Sequence, residues 1–129
     1  MVNYNIADLI TRINNSISKN KSIVIVPFTK DNYQILTFLT KLGILTILQD
    51  KQYLNLLVAE IRKDSTTRHW FKLISKPGRR VYLKYKDLKD FNKGHKVYLL
   101  RTSQGILSSQ TAIQLKIGGE LLMKISHYN

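Results

Sequence analysis

The chain has 129 residues, 43% of them hydrophobic, with only two prolines, which suits one compact domain or two small lobes with a real core and excludes a multidomain enzyme. It has no cysteine, which removes disulfides, thiol nucleophiles and sulfur-rich zinc sites together. The balance of 21 Lys plus Arg against 8 Asp plus Glu, a net +13, calls for a polyanion, because neutralised phosphates release condensed counterions; a membrane is the weaker partner, since there is no apolar run of about 18 residues and the cations do not line an apolar helix.

The opening Met1-Val2-Asn3 runs directly into a helical pattern, with no apolar signal core and no Arg-rich, Ser-rich extension. The protein is therefore expected to be made where it works or to have been trimmed already. Ile6, Leu9, Ile10, Ile13 and Ile17 recur at steps of three and four and predict a helix capped by Asn3 or Asn5. Ser22 to Pro27 reads as a short buried strand of β-branched residues. Thr29 is the N-cap expected for a second helix with the stripe Ile35, Leu36, Leu39 and Leu42, closed by Gly43. Two strands follow, Ile44 to Gln49 and Tyr53 to Ile61, joined by the turn Asp50-Lys51-Gln52. This half reads α-β-α-β-β.

The polar stretch Arg62 to Arg68 has no periodicity and divides the chain into expected lobes 1–64 and 65–129. The second lobe opens with a strand from His69 to Ser75, a Pro77-Gly78 turn and a strand over Val81 to Lys84. Tyr85 to Asn92 fits either a short helix or an irregular loop. A strand at Lys96 to Thr102, a tight turn at Ser103-Gln104-Gly105, a short helix around Ser109 to Lys116 and a last strand at Glu120 to Ser126 complete an α+β fold: an α-β-α-β-β lobe packed on a mainly antiparallel β lobe with a short helix.

Residues 62–101 hold 13 Lys or Arg and three acids, +10 of the net charge. The polyanion surface is accordingly expected on the second lobe. Trp70, Phe71, Tyr82, Tyr85, Phe91 and Tyr98 are interleaved there, as in readers of single-stranded RNA, although burial preferences make most of them core residues. Tyr85, between Lys84 and Lys86, is the expected exception.

Three local motifs carry chemistry. Pro77-Gly78 suits a type II turn that would present Lys76, Arg79 and Arg80 to phosphates, a reading balanced evenly against a solvated hairpin. In Thr102 to Ser109, hydroxyls beside a glycine suit base edges and ribose 2′-hydroxyls, and Ser108 or Ser109 caps the next helix, whose N-terminus attracts phosphate. On residue type alone, a plain turn and cap is ahead. Gly118 or Gly119 is expected to supply a left-handed helix end, and Glu120 either pairs with a cation or accepts from a base amino group.

Catalysis is not expected. Acids are scattered, and a nuclease would need clustered carboxylates or a His pair; Asp87 and Asp90 are explained by a surface helix. His69, His95 and His127 lack partners at ligand spacing, so no metal and no other cofactor is expected.

Ile6 to Asn15, Lys76 to Tyr82, Thr102 to Ser108 and Gly118-Gly119-Glu120, in this order over nearly the whole chain, resemble the family of small-subunit ribosomal protein eight. The resemblance implies an α/β first lobe and a mainly β second lobe gripping an irregular stem in the central domain of small-subunit rRNA. It makes Thr102, Ser103, Gly105 and Ser108 the leading RNA contacts. Arg101 stands where the family usually has a serine, which points to an added phosphate contact, and Ser108 where it usually has a threonine. The implied partners are small-subunit rRNA and neighbouring small-subunit ribosomal proteins, with no small-molecule substrate, no membrane and no second copy of the chain. The bias towards Ile, Lys, Asn and Leu suits an AT-rich genome, so the expected location is a ribosome encoded and used in an organelle, mitochondrial ahead of plastid or bacterial cytoplasm. The competing reading is a sequence-tolerant nucleic-acid-binding protein outside the ribosome.

Overall fold

The computed structural model describes residues 4–51, 54–62, 68–76, 78–91 and 97–128. Its elements fall into two compact units, Tyr4–Arg68 and a second built from His69 onward. The stretch read as a lobe boundary lies mostly in 63–67, outside the described residues. The class is α+β, as expected.

The first unit runs α1 (Tyr4–Ser18), β1 (Ile23–Pro27), α2 (Lys30–Lys41), β2 (Leu45–Lys51) and β3 (Leu56–Ile61). The 3.6-residue period of α1 buries Ile6, Leu9, Ile10 and Ile13, while Asp8 and Arg12 pair on its outer side at 3.0 Å. Asn5 lies inside the helix and is not its cap; Asn3 is outside the described residues. Thr29 does cap α2, accepting from the Asn32 amide at 3.0 Å. Gly43, at φ 79°, closes it with a left-handed residue: its N–H donates to Thr40 O and that of Ile44 to Leu39 O. Ile35, Leu36 and Leu39 are buried as the stripe predicts, but Leu42, the C-cap just past the last helical residue, is 42% exposed.

The three strands form an antiparallel sheet in the order β1-β3-β2. The expectation of a fully buried β1 is corrected: burial alternates, with Val24 and Val26 inside and Ile23 and Ile25 exposed. An edge strand covered on one face shows this alternation whatever its residues, and an all-apolar run hides it. β2 extends through Lys51, and Gln52 of the expected turn is not among the described residues.

The second unit runs β4 (Arg68–Leu73), β5 (Tyr82–Leu83), α3 (Tyr85–Phe91), β6 (Val97–Thr102), β7 (Gly105–Ser108), α4 (Ser109–Gln114) and β8 (Gly119–Tyr128). The order is β4-β8-β6-β7, with β5 also pairing to β8. The last of the described strands is thus the middle of the sheet. On one face, Leu88 of α3 and Ala112 of α4 pack against Tyr98, Leu100 and Leu121. The segment from Tyr85 is helical. β7 is an addition, too short and too mixed in composition for alternation to reveal.

Neither Gly118 nor Gly119 is left-handed; that position belongs to Lys116, at φ 59°. Its N–H donates to Ile113 O and that of Ile117 to Ala112 O, which closes α4. The two glycines serve close approach instead. A Cβ on Gly118 would stand 2.2 Å from Leu83 O, and one on Gly119 2.5 Å from Arg101 O, so both allow β8 to enter between its neighbours.

A candidate nucleic-acid interface

β6 and β7 are joined through Ser103 and Gln104, with Thr102 paired directly to Gly105. The Thr102 hydroxyl donates to Gly105 O at 2.8 Å and accepts from the Gln104 N–H at 3.1 Å. Gly105 holds φ 101°, a value that any side chain makes costly. Thr102 and Gly105 therefore build the turn. Ser103, exposed at its tip, makes no hydrogen bond within the chain among the described residues. Ser108 is a cap: it accepts from the Thr111 N–H at 3.2 Å and donates to Thr111 Oγ1 at 3.0 Å, while only 9% exposed.

Beside the turn runs a row of direct cross-strand partners, Tyr82 to Glu120, Glu120 to Arg101 and Arg101 to Ile106, whose side chains share one face. Glu120 is 4% exposed, with Oε1 3.9 Å from Arg101 Nε. That is beyond hydrogen-bond reach, so the attraction is Coulombic. Glu120 thus does pair with a cation, and Arg101 serves a carboxylate as well as any phosphate.

The cationic hairpin is fixed at its base. Lys76 N–H donates to Arg79 O at 3.0 Å and Arg79 N–H to Lys76 O at 2.9 Å, and Gly78 takes φ 81°, as the third position of a type II turn requires; Pro77 is outside the described residues. The fully buried Ser75 hydroxyl donates to Leu121 O at 2.6 Å and accepts from the Val81 N–H at 3.0 Å. Lys76, Arg79 and Arg80 are exposed above this fastening.

Among the aromatics, Phe71 and Tyr98 are core residues, whereas Tyr82 is 65% and Trp70 43% exposed. Tyr85 is half-buried, with Lys89 Nζ 5.1 Å from its ring centroid. The Phe91 side chain lies outside the described residues. The expectation that most are core residues therefore needs correction. Trp70-Phe71 and Tyr82-Leu83 each lie on a strand, where neighbours point to opposite faces of the sheet, and that signal marks Tyr82 and Trp70 as candidates the composition argument missed. Among the described residues no three His, Asp or Glu side chains come together.

The family described as ribosomal protein S8 matches residues 4–126. The chain belongs to the ribosomal protein S8 family. Small ribosomal subunit protein uS8c of Tetradesmus obliquus is 36% identical over 97% of this chain and 99% of that protein, and uS8 of Nautilia profundicola is 30% identical over the same shares, 97% and 99%. Small ribosomal subunit protein uS8m of Acanthamoeba castellanii is 38% identical over 80% of this chain and 84% of its own length. As an S8 protein the chain is a structural constituent of the small ribosomal subunit and not an enzyme.

Proposed function

We propose that this S8 protein holds an irregular stem in the central domain of small-subunit rRNA, through the lobe 65–129, and so supports assembly of the subunit. The observation that carries the reading is Ser103: its hydroxyl is unspent at the tip of a turn that Thr102 and Gly105 hold rigid. Such a group can both donate to and accept from 2′-hydroxyls and unstacked bases. Lys76, Arg79, Arg80 and Arg101 neutralise phosphates, Glu120 contributes by holding Arg101 beside the turn, and Tyr85 stacks or packs on the RNA. Ser108 contributes by fixing the start of α4. The protein acts as a single copy among neighbouring subunit proteins. Its bias towards Ile, Lys, Asn and Leu supports a mitochondrial ribosome ahead of a plastid or bacterial one.

Filter binding of the purified protein to an rRNA stem with an irregular internal loop, a perfect RNA duplex and duplex DNA tests this. The stem is expected to bind preferentially at physiological salt, since phosphates position the protein but do not specify the site. Equal affinities for all three would show that only charge is read and would favour a sequence-tolerant protein outside the ribosome.

A further inference from the structure

Trp70 is the single tryptophan of the chain and stands 43% exposed, while its neighbour Phe71 is 1% exposed. Both lie on β4, at one edge of the second unit's sheet. Alternation puts Phe71 on one face of the strand and Trp70, Lys72 and Ile74 on the other. Ile74 packs against the core cluster under α3 and α4, so Trp70 and the exposed Lys72 belong to the same side, further along the strand.

The course of β4 separates this point from the Ser103 turn. The Ile74 N–H donates to Leu122 O and the Ser75 hydroxyl to Leu121 O, so β4 runs opposite to β8, and Lys72 and Lys124 line one recess of about 320 Å³. Trp70 lies two residues further in that direction, towards the end of β8 where Ile125 pairs with Val97. The turn stands at the other end of β6, about 16 Å away from Val97 at roughly 3.3 Å per residue.

Singly exposed apolar residues are ordinary, but an indole sharing a strand face with a lysine, on a strand without acids, is a more particular combination. The indole offers a large rigid surface with only two torsions to fix on binding. A protein closing over it would have to desolvate the Lys72 ammonium, and lysine is depleted in the cores of such interfaces. An RNA base can cover the ring while the lysine meets the phosphate beside it, the pairing of aromatic platform and cation by which single strands are held. A base inside a duplex has both faces covered already, so an unpaired one is needed.

We propose that Trp70 stacks on an unpaired RNA base while Lys72 meets the adjoining phosphate, at a contact remote from the Ser103 turn. It rests on the RNA-binding reading and extends it from the irregular stem to a single-stranded segment.

Because the chain has one indole, its fluorescence reports the contact directly. The whole protein is titrated with a short single-stranded RNA of mixed sequence, with the irregular stem and with a plain RNA duplex, and each variant is melted alongside. Saturable quenching by the single strand is expected, with little by the plain duplex. Trp70→Leu, which keeps an apolar side chain without a π-face, should weaken single-strand binding roughly tenfold, and Trp70→Phe much less. Lys72→Gln should lower the salt slope on the single strand by about 0.7. Emission that no amount of single strand changes, or a Trp70→Leu variant that binds it as wild type does, overturns the proposal and leaves the indole to a protein neighbour. The two readings fail separately: quenching by the single strand without preference for the irregular stem over the duplex removes the Ser103 reading and keeps the Trp70 contact, whereas preference for the stem without quenching removes the Trp70 contact alone.

Discussion

Three hydroxyls that look equivalent in the string Thr102-Ser103-Gln104-Gly105-Ile106-Leu107-Ser108 have three different jobs. Thr102 ties the turn, Ser108 caps a helix, and Ser103 is left to a partner. Residue type announced the motif, but only the register of β6 on β7 separates these roles, because a hydroxyl two residues from an amide at a turn spends itself locally. Ser103→Ala is expected to leave the melting temperature and the salt slope unchanged while lowering affinity for the cognate stem by about 1–3 kcal/mol, the cost of leaving a buried RNA partner unpaired. Titration of that stem at several salt concentrations checks it. Binding equal to wild type would reduce the Ser103 turn to a piece of scaffold. Thr102→Val should instead lower stability, seen in thermal melts, because the turn loses both bonds.

At the scale of elements, periodicity and capping chemistry made the first unit legible. The apolar steps of α1, the Thr29 cap and the Gly43 closure appear where the residues predict them. Legibility failed where tertiary context decides. β1 reads as buried because an apolar run carries no record of which face is covered, and the Gly118-Gly119 pair reads as a helix end because close approach between strands leaves the same signature as a left-handed cap. The distinction has a measurable consequence. At a left-handed cap, alanine costs about 1 kcal/mol. At Gly119 a Cβ meets the Arg101 carbonyl oxygen at 2.5 Å, so Gly119→Ala must push β8 away from β6. Urea denaturation is expected to show a loss on the order of 2–3 kcal/mol, the range of overpacked sites. A loss under 0.5 kcal/mol would mean that the strands separate easily and the close approach matters little.

For the molecule as a whole, most of the segment carrying +10 of the net +13 belongs to the unit from His69 onward. Charge density along the sequence therefore locates the most cationic part of the fold, while geometry decides which cations stand together. Lys76 and Arg79 are three apart in sequence and pair directly across the hairpin; Lys72 and Lys124 are far apart in sequence and line one recess only because β4 and β8 are neighbours. Arg80→Ala is expected to weaken binding to every RNA to a similar extent and to lower the salt slope by about 1. A loss confined to the irregular stem would make Arg80 a base reader and not a phosphate contact.

The place of β8 also sets a timetable. β4, β5 and β6 each need it as a partner, and the Ser75 hydroxyl that secures the cationic hairpin is satisfied by Leu121, 46 residues later. A nascent chain emerging from its own ribosome can complete the Tyr4–Arg68 unit from nearby segments, but it holds loose strands and an unfastened hairpin until β8 follows. Non-local pairing of this kind is slow. The second unit therefore completes its sheet and fastens its cationic hairpin only after synthesis has passed Leu121, so on the proposed reading an unfinished chain is not yet able to hold RNA.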